Sequence, residues 1–82
     1  MNVTRRRSRY EIIAEILSVA RDGARPTRIM YKSNLSFERR GRYLSCLLGA
    51  GLIGIKMNSP LVYKTTELGN EWLKNYRKVQ LV

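Results

Sequence analysis

The sequence predicts a mostly α domain with a small β-hairpin, in the order α-α-α-β-β-α. Three observations predict it. Apolar residues recur at helical spacing through the first fifty residues and again after Thr66, and polar capping residues open the stretches. After Gly49-Ala50-Gly51 the period changes: Leu52–Met57 and Leu61–Thr65 are short runs rich in apolar and β-branched residues, with Asn58-Ser59-Pro60 as the turn between them. The chain has 82 residues, which makes one small domain with a thin core, one that can lean on a partner subunit.

Each element has its own signals. Residues 1–7 read as a loose basic arm, residues 8–79 as the domain and residues 80–82 as a C-terminal tail. Ser8 caps the first helix and Glu11, three residues on, completes a capping box. Ile12, Ile13, Ile16, Leu17 and Ala20 form one apolar face, and Asp22-Gly23 ends the helix at about residue 21, Gly supplying a left-handed cap. Ala24-Arg25 is a short connector. Pro26 and Thr27 start the second helix, Thr27 as its cap; Ile29 and Met30 face inward, it ends near Ser33-Asn34, and Leu35 plugs the turn. Ser36 caps a third helix from Phe37 to about Gly49, with Phe37, Tyr43, Leu44, Leu47 and Leu48 as its apolar positions. Thr66 caps the last helix, and Leu68, Trp72, Leu73 and Tyr76 lie along one of its faces.

Charge narrows the function. Sixteen Lys+Arg against six Asp+Glu give a net charge of +10, which speaks to an anionic partner: nucleic acid, an acidic protein or a membrane surface. The chain has no His, the commonest general base and metal ligand. Its one cysteine, Cys46, excludes an internal disulfide and a cysteine-based zinc site, and reads as a small, partly buried helix residue. The six acids show no paired arrangement. We therefore expect no enzyme, no metal, no cofactor and no small-molecule ligand. The longest near-apolar run, Cys46 to Ile55, is interrupted by three glycines and too short to span a bilayer. A long aromatic-rich apolar helix face suited to a membrane surface is missing too. A soluble, cytoplasmic protein is expected.

Two short helices, a tight turn, a longer helix, a hairpin and a closing helix describe a winged helix-turn-helix. The detailed match rests on Arg9-Tyr10-Glu11-Ile12-Ile13, on Thr27 through Ser36 around the turn, and on Tyr43-Leu44, Leu47-Leu48 and Gly51-Leu52-Ile53. It also rests on Thr66-Glu67-Leu68-Gly69, a Thr-x-x-Gly start, with Trp72-Leu73. Over about residues 8–76 the chain resembles the archaeal winged-helix DNA-binding family of predicted transcriptional regulators, which includes small crenarchaeal chromatin-type proteins. The resemblance implies a duplex DNA-binding, nucleoid-associated protein that dimerises through its last helix. The chain departs from the family at Arg40, where the pattern has an apolar residue and a charge must snorkel or pair. Gly41 weakens the same helix by about 1 kcal/mol relative to Ala. The wing tip, Met57-Asn58-Ser59-Pro60, is poor in charge.

In the helix-turn-helix geometry the third helix meets base edges in the major groove. With Leu44, Leu47 and Leu48 inward, Glu38, Arg39, Arg42 and Ser45 face outward. Arg39 and Arg42 fit bidentate contact with guanine, Arg40 adds to the density of charge, and Phe37 and Arg40 are counted with them as candidate DNA contacts. Glu38 either accepts from a cytosine amine or repels phosphate and limits register. Ser36 caps and can also bond phosphate. Arg28, Tyr31 and Lys32 are candidate backbone contacts, although packing of the Tyr31 ring with its hydroxyl at the surface is the simpler reading for that residue. Arg5, Arg6 and Arg7, with Arg9, either enter a minor groove or track phosphates, or else form a solubilising tail. Lys56 and Lys64 flank the hairpin within reach of phosphate. Trp72 and Tyr76, with Val79 and Leu81 beyond them, are the candidate dimer interface; a base-stacking platform at Trp72 is the lesser reading, because helical spacing favours packing. Function is thus duplex DNA binding, as a transcriptional regulator or a chromatin-type protein. The alternative is a protein-interaction or RNA-binding winged-helix module.

Overall fold

The computed structural model describes residues 7–80; most of the basic arm, with Arg5 and Arg6, and Leu81 lie outside the described residues. The chain runs α1 (Arg9–Val19), α2 (Pro26–Lys32), α3 (Phe37–Gly49), β1 (Ile53–Asn58), β2 (Leu61–Thr65) and α4 (Glu67–Gln80). This is the winged-helix order α-α-α-β-β-α. Ile12, Ile16, Leu17 and Ala20 of the α1 end, Ile29, Leu35, Leu44, Leu47, Ile53 and Leu73 form one core, so every element contributes to it except β2, whose Tyr63 packs at its margin.

The helix ends follow from local chemistry. Ser8 and Glu11 form the reciprocal capping box on α1. Ser36 caps α3, its Oγ accepting from the Arg39 N–H at 3.2 Å. The C-terminus of α3 closes as a Schellman motif: the Leu52 N–H donates to the Leu47 carbonyl at 3.0 Å and the Gly51 N–H to Leu48 at 3.1 Å, with Gly51 at φ +75°. The same motif ends α2. There the Leu35 N–H donates to Met30 at 2.9 Å and the Asn34 N–H to Tyr31 at 3.2 Å, Asn34 taking φ +53° and Leu35 turning into the core.

Thr66-x-x-Gly69 has a steric explanation. The Thr66 Oγ1 accepts from the Gly69 N–H at 3.0 Å and donates to the Gly51 carbonyl at 2.6 Å. A Cβ on Gly69 would stand 2.1 Å from the Leu52 carbonyl oxygen and 2.7 Å from the Thr65 Cγ2. Only a glycine lets the first turn of α4 lie against the chain leaving α3.

Several expectations need correction. Helix α1 stops at Val19, not near residue 21; Gly23 is left-handed at φ +110°, but it shapes the turn after the helix and is not its cap. That turn delivers Ala24 to Tyr63. The two residues exchange backbone hydrogen bonds at 2.8 and 2.9 Å, so the supposed connector is a one-residue third strand beside β2. The N-cap of α2 is Arg25, with no side-chain cap, and Thr27 lies inside the helix. Strand β1 begins at Ile53, one residue later than expected, and extends to Asn58, which pairs with Leu61 and narrows the turn to Ser59-Pro60. The register slips between Ile55 and Met57, a bulge at Lys56. Phe37 is 72% exposed rather than core-facing. It shares its angular direction with Leu44 but stands two turns, about 10 Å, nearer the helix start, past the end of the core.

Candidate nucleic-acid interface

α2, the Asn34 turn and α3 form the helix-turn-helix. The turn is held from outside as well as by its own Schellman bonds. The Arg7 guanidinium donates to the Ser33 carbonyl at 2.7 Å, to the Asn34 carbonyl at 3.1 Å and to the Glu15 carboxylate. Arg7 therefore braces α1 against the end of α2, and its charge is matched by Glu15 in the one ion pair between described residues. Nothing in the local sequence separates it from its arginine neighbours.

On α3 the outward face is as the spacing predicts: Glu38, Arg39, Arg42 and Ser45 are all exposed. Ser36 is exposed at the head of the helix, with its hydroxyl engaged in capping. Arg40 neither reaches the core nor pairs with an acid. Its guanidinium lies over the Phe37 ring, 4.7 Å from the centroid, a cation–π contact that the exposed ring makes available. Gly41 leaves α3 unbroken. Cys46 is exposed, not partly buried, because it sits on the flank of the helix away from Leu44 and Leu47. One groove between α1 and α3 gathers Arg9, Arg39 and Arg42. Arg9 and Arg39 are thirty residues apart, and no local pattern joins them.

On α2, Arg28 and Lys32 are exposed, and Tyr31 is 84% exposed, which overturns its packed reading. On the hairpin, Lys56 and Lys64 are exposed. The Lys56 stem runs past Gly23, whose added Cβ would come 3.5 Å from Lys56 Cδ, so this lysine leans toward the α1–α2 turn. The wing presents Ile55 and Met57 to solvent beside these charges.

On α4, Trp72 and Tyr76 stack with ring centroids 5.2 Å apart and planes 8° from parallel. Both are half-buried, while Leu68 and Val79 are exposed. The Arg77 guanidinium donates to the Ser18 hydroxyl at 2.6 Å and ties α4 to α1. Among the described residues no group of three His, Cys, Asp or Glu side chains could hold a metal ion, and no helix is long and apolar enough to cross a membrane.

This fold and turn have known counterparts. The crystal structure of Sso10a-2, a DNA-binding protein from Sulfolobus solfataricus, superposes with a TM-score of 0.78 over 90% of this chain and 82% of that one, at 24% sequence identity. An uncharacterized protein of Methanocaldococcus jannaschii, MJ0287, is 37% identical over 67 residues. That match takes in 80% of this chain and 66% of the relative, so the chain spans a little under two thirds of the relative's length. Residues 6–82 match the family described as winged helix-turn-helix, to which the α2–turn–α3 unit and the hairpin correspond, and the chain belongs to that family.

Proposed function

We propose that the chain binds duplex DNA, with α3 in the major groove and Arg39 and Arg42 at base edges. The observation that carries this reading is the exposed face of α3. Arginines stand beside a capped helix N-terminus, on a helix-turn-helix braced by the Arg7 bonds, in a chain of net charge +10. The similarity to Sso10a-2, a DNA-binding protein, supports it. Ser36, Arg28 and Lys32 would hold phosphates, Arg5 and Arg6 would extend the footprint, and Lys56 and Lys64 would add to it from the wing. Arg7, committed to carbonyls and Glu15, would contribute chiefly by position.

The protein would act as a homodimer. Leu68 and Val79, exposed beside the Trp72–Tyr76 stack, supply an apolar α4 surface for a second copy; Leu81, the other residue the sequence suggests, lies outside the described residues. Its role would be transcriptional regulation or chromatin packing in the nucleoid of the cytoplasm, and the work is binding rather than catalysis.

Fluorescence anisotropy with a labelled mixed-sequence duplex, titrated at several salt concentrations, tests the reading. Binding should weaken with a log–log slope of about −0.9 for each phosphate contacted. Arg39→Ala or Arg42→Ala should cost about 1–3 kcal/mol on a preferred site and relax preference at one base position. A regulator would show a large ratio of preferred-site to mixed-sequence affinity, and a chromatin protein a small one. Absence of binding at low salt would overturn the proposal and turn attention to RNA or an acidic protein.

A further inference from the structure

The groove between α1 and α3 has the chemistry of a ligand site in its own right. Its volume is about 360 Å³, within the range of small-molecule sites. Arg9 comes from the first turn of α1, and Arg39 and Arg42 from successive turns of α3. Between them lie Ile13, Tyr43 and Leu47, three partly or fully buried apolar side chains that also belong to the core or its margin. No acid lines the groove. Among the described residues none of the three guanidiniums has an ion-pair or hydrogen-bond partner, whereas Arg7, Arg40 and Arg77 have each found an internal contact. Three like charges gathered at one groove repel one another, and an anion between them relieves that repulsion.

We propose that this groove binds an organic anion with a phosphate-type head and a flat apolar body, and that the ligand competes with duplex DNA for Arg39 and Arg42. Guanidinium forks match the oxygens of a phosphoryl group, which sets the head. A free phosphate would leave most of the volume and the half-buried Ile13 and Tyr43 side chains uncovered, which sets the body. A duplex would draw on the same Arg39 and Arg42, which is why the two ligands compete. The competition rests on the DNA-binding reading above; the site itself does not.

The test uses the isotope-labelled full chain, followed by NMR as phenyl phosphate or inorganic phosphate is added. Phenyl phosphate should move the amide signals of Ile13, Arg39, Tyr43 and Cys46 saturably. Its Kd should be at least tenfold lower than that of inorganic phosphate, a difference of about 1.4 kcal/mol. Arg9→Ala should raise that Kd at least fivefold. Cys46 also lines the groove and is exposed, so Cys46→Phe, which fills the groove, should abolish the saturable shifts. Equal affinity for the two anions, or shifts spread over Lys56, Lys64 and Lys74 without saturation, would overturn the site. In a second arm phenyl phosphate should displace labelled duplex from the wild type more than the same concentration of inorganic phosphate does, and this excess should vanish in Cys46→Phe. Saturable phenyl phosphate binding by a chain that binds no duplex would uphold the site and overturn the DNA reading.

Discussion

The Arg7 guanidinium reaches three oxygens on two separate stretches of chain: the Glu15 carboxylate in α1, and the adjacent Ser33 and Asn34 carbonyls at the α2 cap and in the turn. Carbonyls at a helix end carry partial negative charge and lack intrahelical donors, so a cation there is favourable. The ion pair itself is partly solvated and weak, with Glu15 43% exposed, and most of the effect comes from the charged donors on the two carbonyls. Arg7→Ala should lower stability by about 2 kcal/mol, read as a lower denaturation midpoint with unchanged slope. Arg7→Lys should recover part of the loss, because an ammonium can serve one carbonyl but cannot span all three oxygens. An Arg7→Ala variant as stable as the wild type would contradict the bracing role. Asn34 works at the same site by another means, since its left-handed backbone is one that Asn adopts more readily than most side chains.

At the scale of elements, the approach of α4 to the chain leaving α3 depends on a missing side chain. Gly69→Ala would force a Cβ to within 2.1 Å of a backbone oxygen, so the helix must shift. A loss of about 3 kcal/mol is expected by thermal or chemical denaturation, although Ala is the better helix former. Much of the element plan is legible in the sequence. The bounds of α3 and β2 follow from Ser36, Gly51, Pro60 and Thr66, residues whose local chemistry starts or stops an element without help from elsewhere. The outward face of α3 is legible from its period. What is not legible depends on residues distant in sequence. Gly23 looks like a helix stop because the turn it makes is understandable only once Tyr63 is present to receive Ala24. Phe37 looks inward because period carries angle but not depth along the axis. Tyr31 looks packed because nothing local says that α2 turns only Ile29 and Met30 toward the core. The Arg9–Arg39–Arg42 groove needs α1 and α3 placed side by side before it exists.

For the whole molecule, exposed apolar side chains stand on the helix-turn-helix, the wing and α4 alike. The α4 surface around Leu68, Trp72, Tyr76 and Val79 carries the dimer proposal, and mass action tests it. A dimer that forms only when folded gains stability with protein concentration, so the unfolding midpoint should rise by about 4 °C for each tenfold increase, and Val79→Asp should remove that dependence. A midpoint that stays constant over a hundredfold range would exclude dimerisation through this helix. The stitching between α1 and the hairpin has a further consequence. Ala24 pairs with Tyr63, the Thr65 N–H donates to the Ala20 carbonyl at 2.9 Å, and the Thr65 hydroxyl donates to the Leu17 carbonyl at 2.7 Å. These bonds bridge some forty residues, so the three helices and the wing must form and open together. The helix-turn-helix of this chain is therefore not a portable cassette. A fragment ending at Ala50 would expose the Ala24 N–H and the Leu17 and Ala20 carbonyls along a bare seam, and transplanting the α2–turn–α3 unit with α1 into another scaffold would require the donor strand to travel with it.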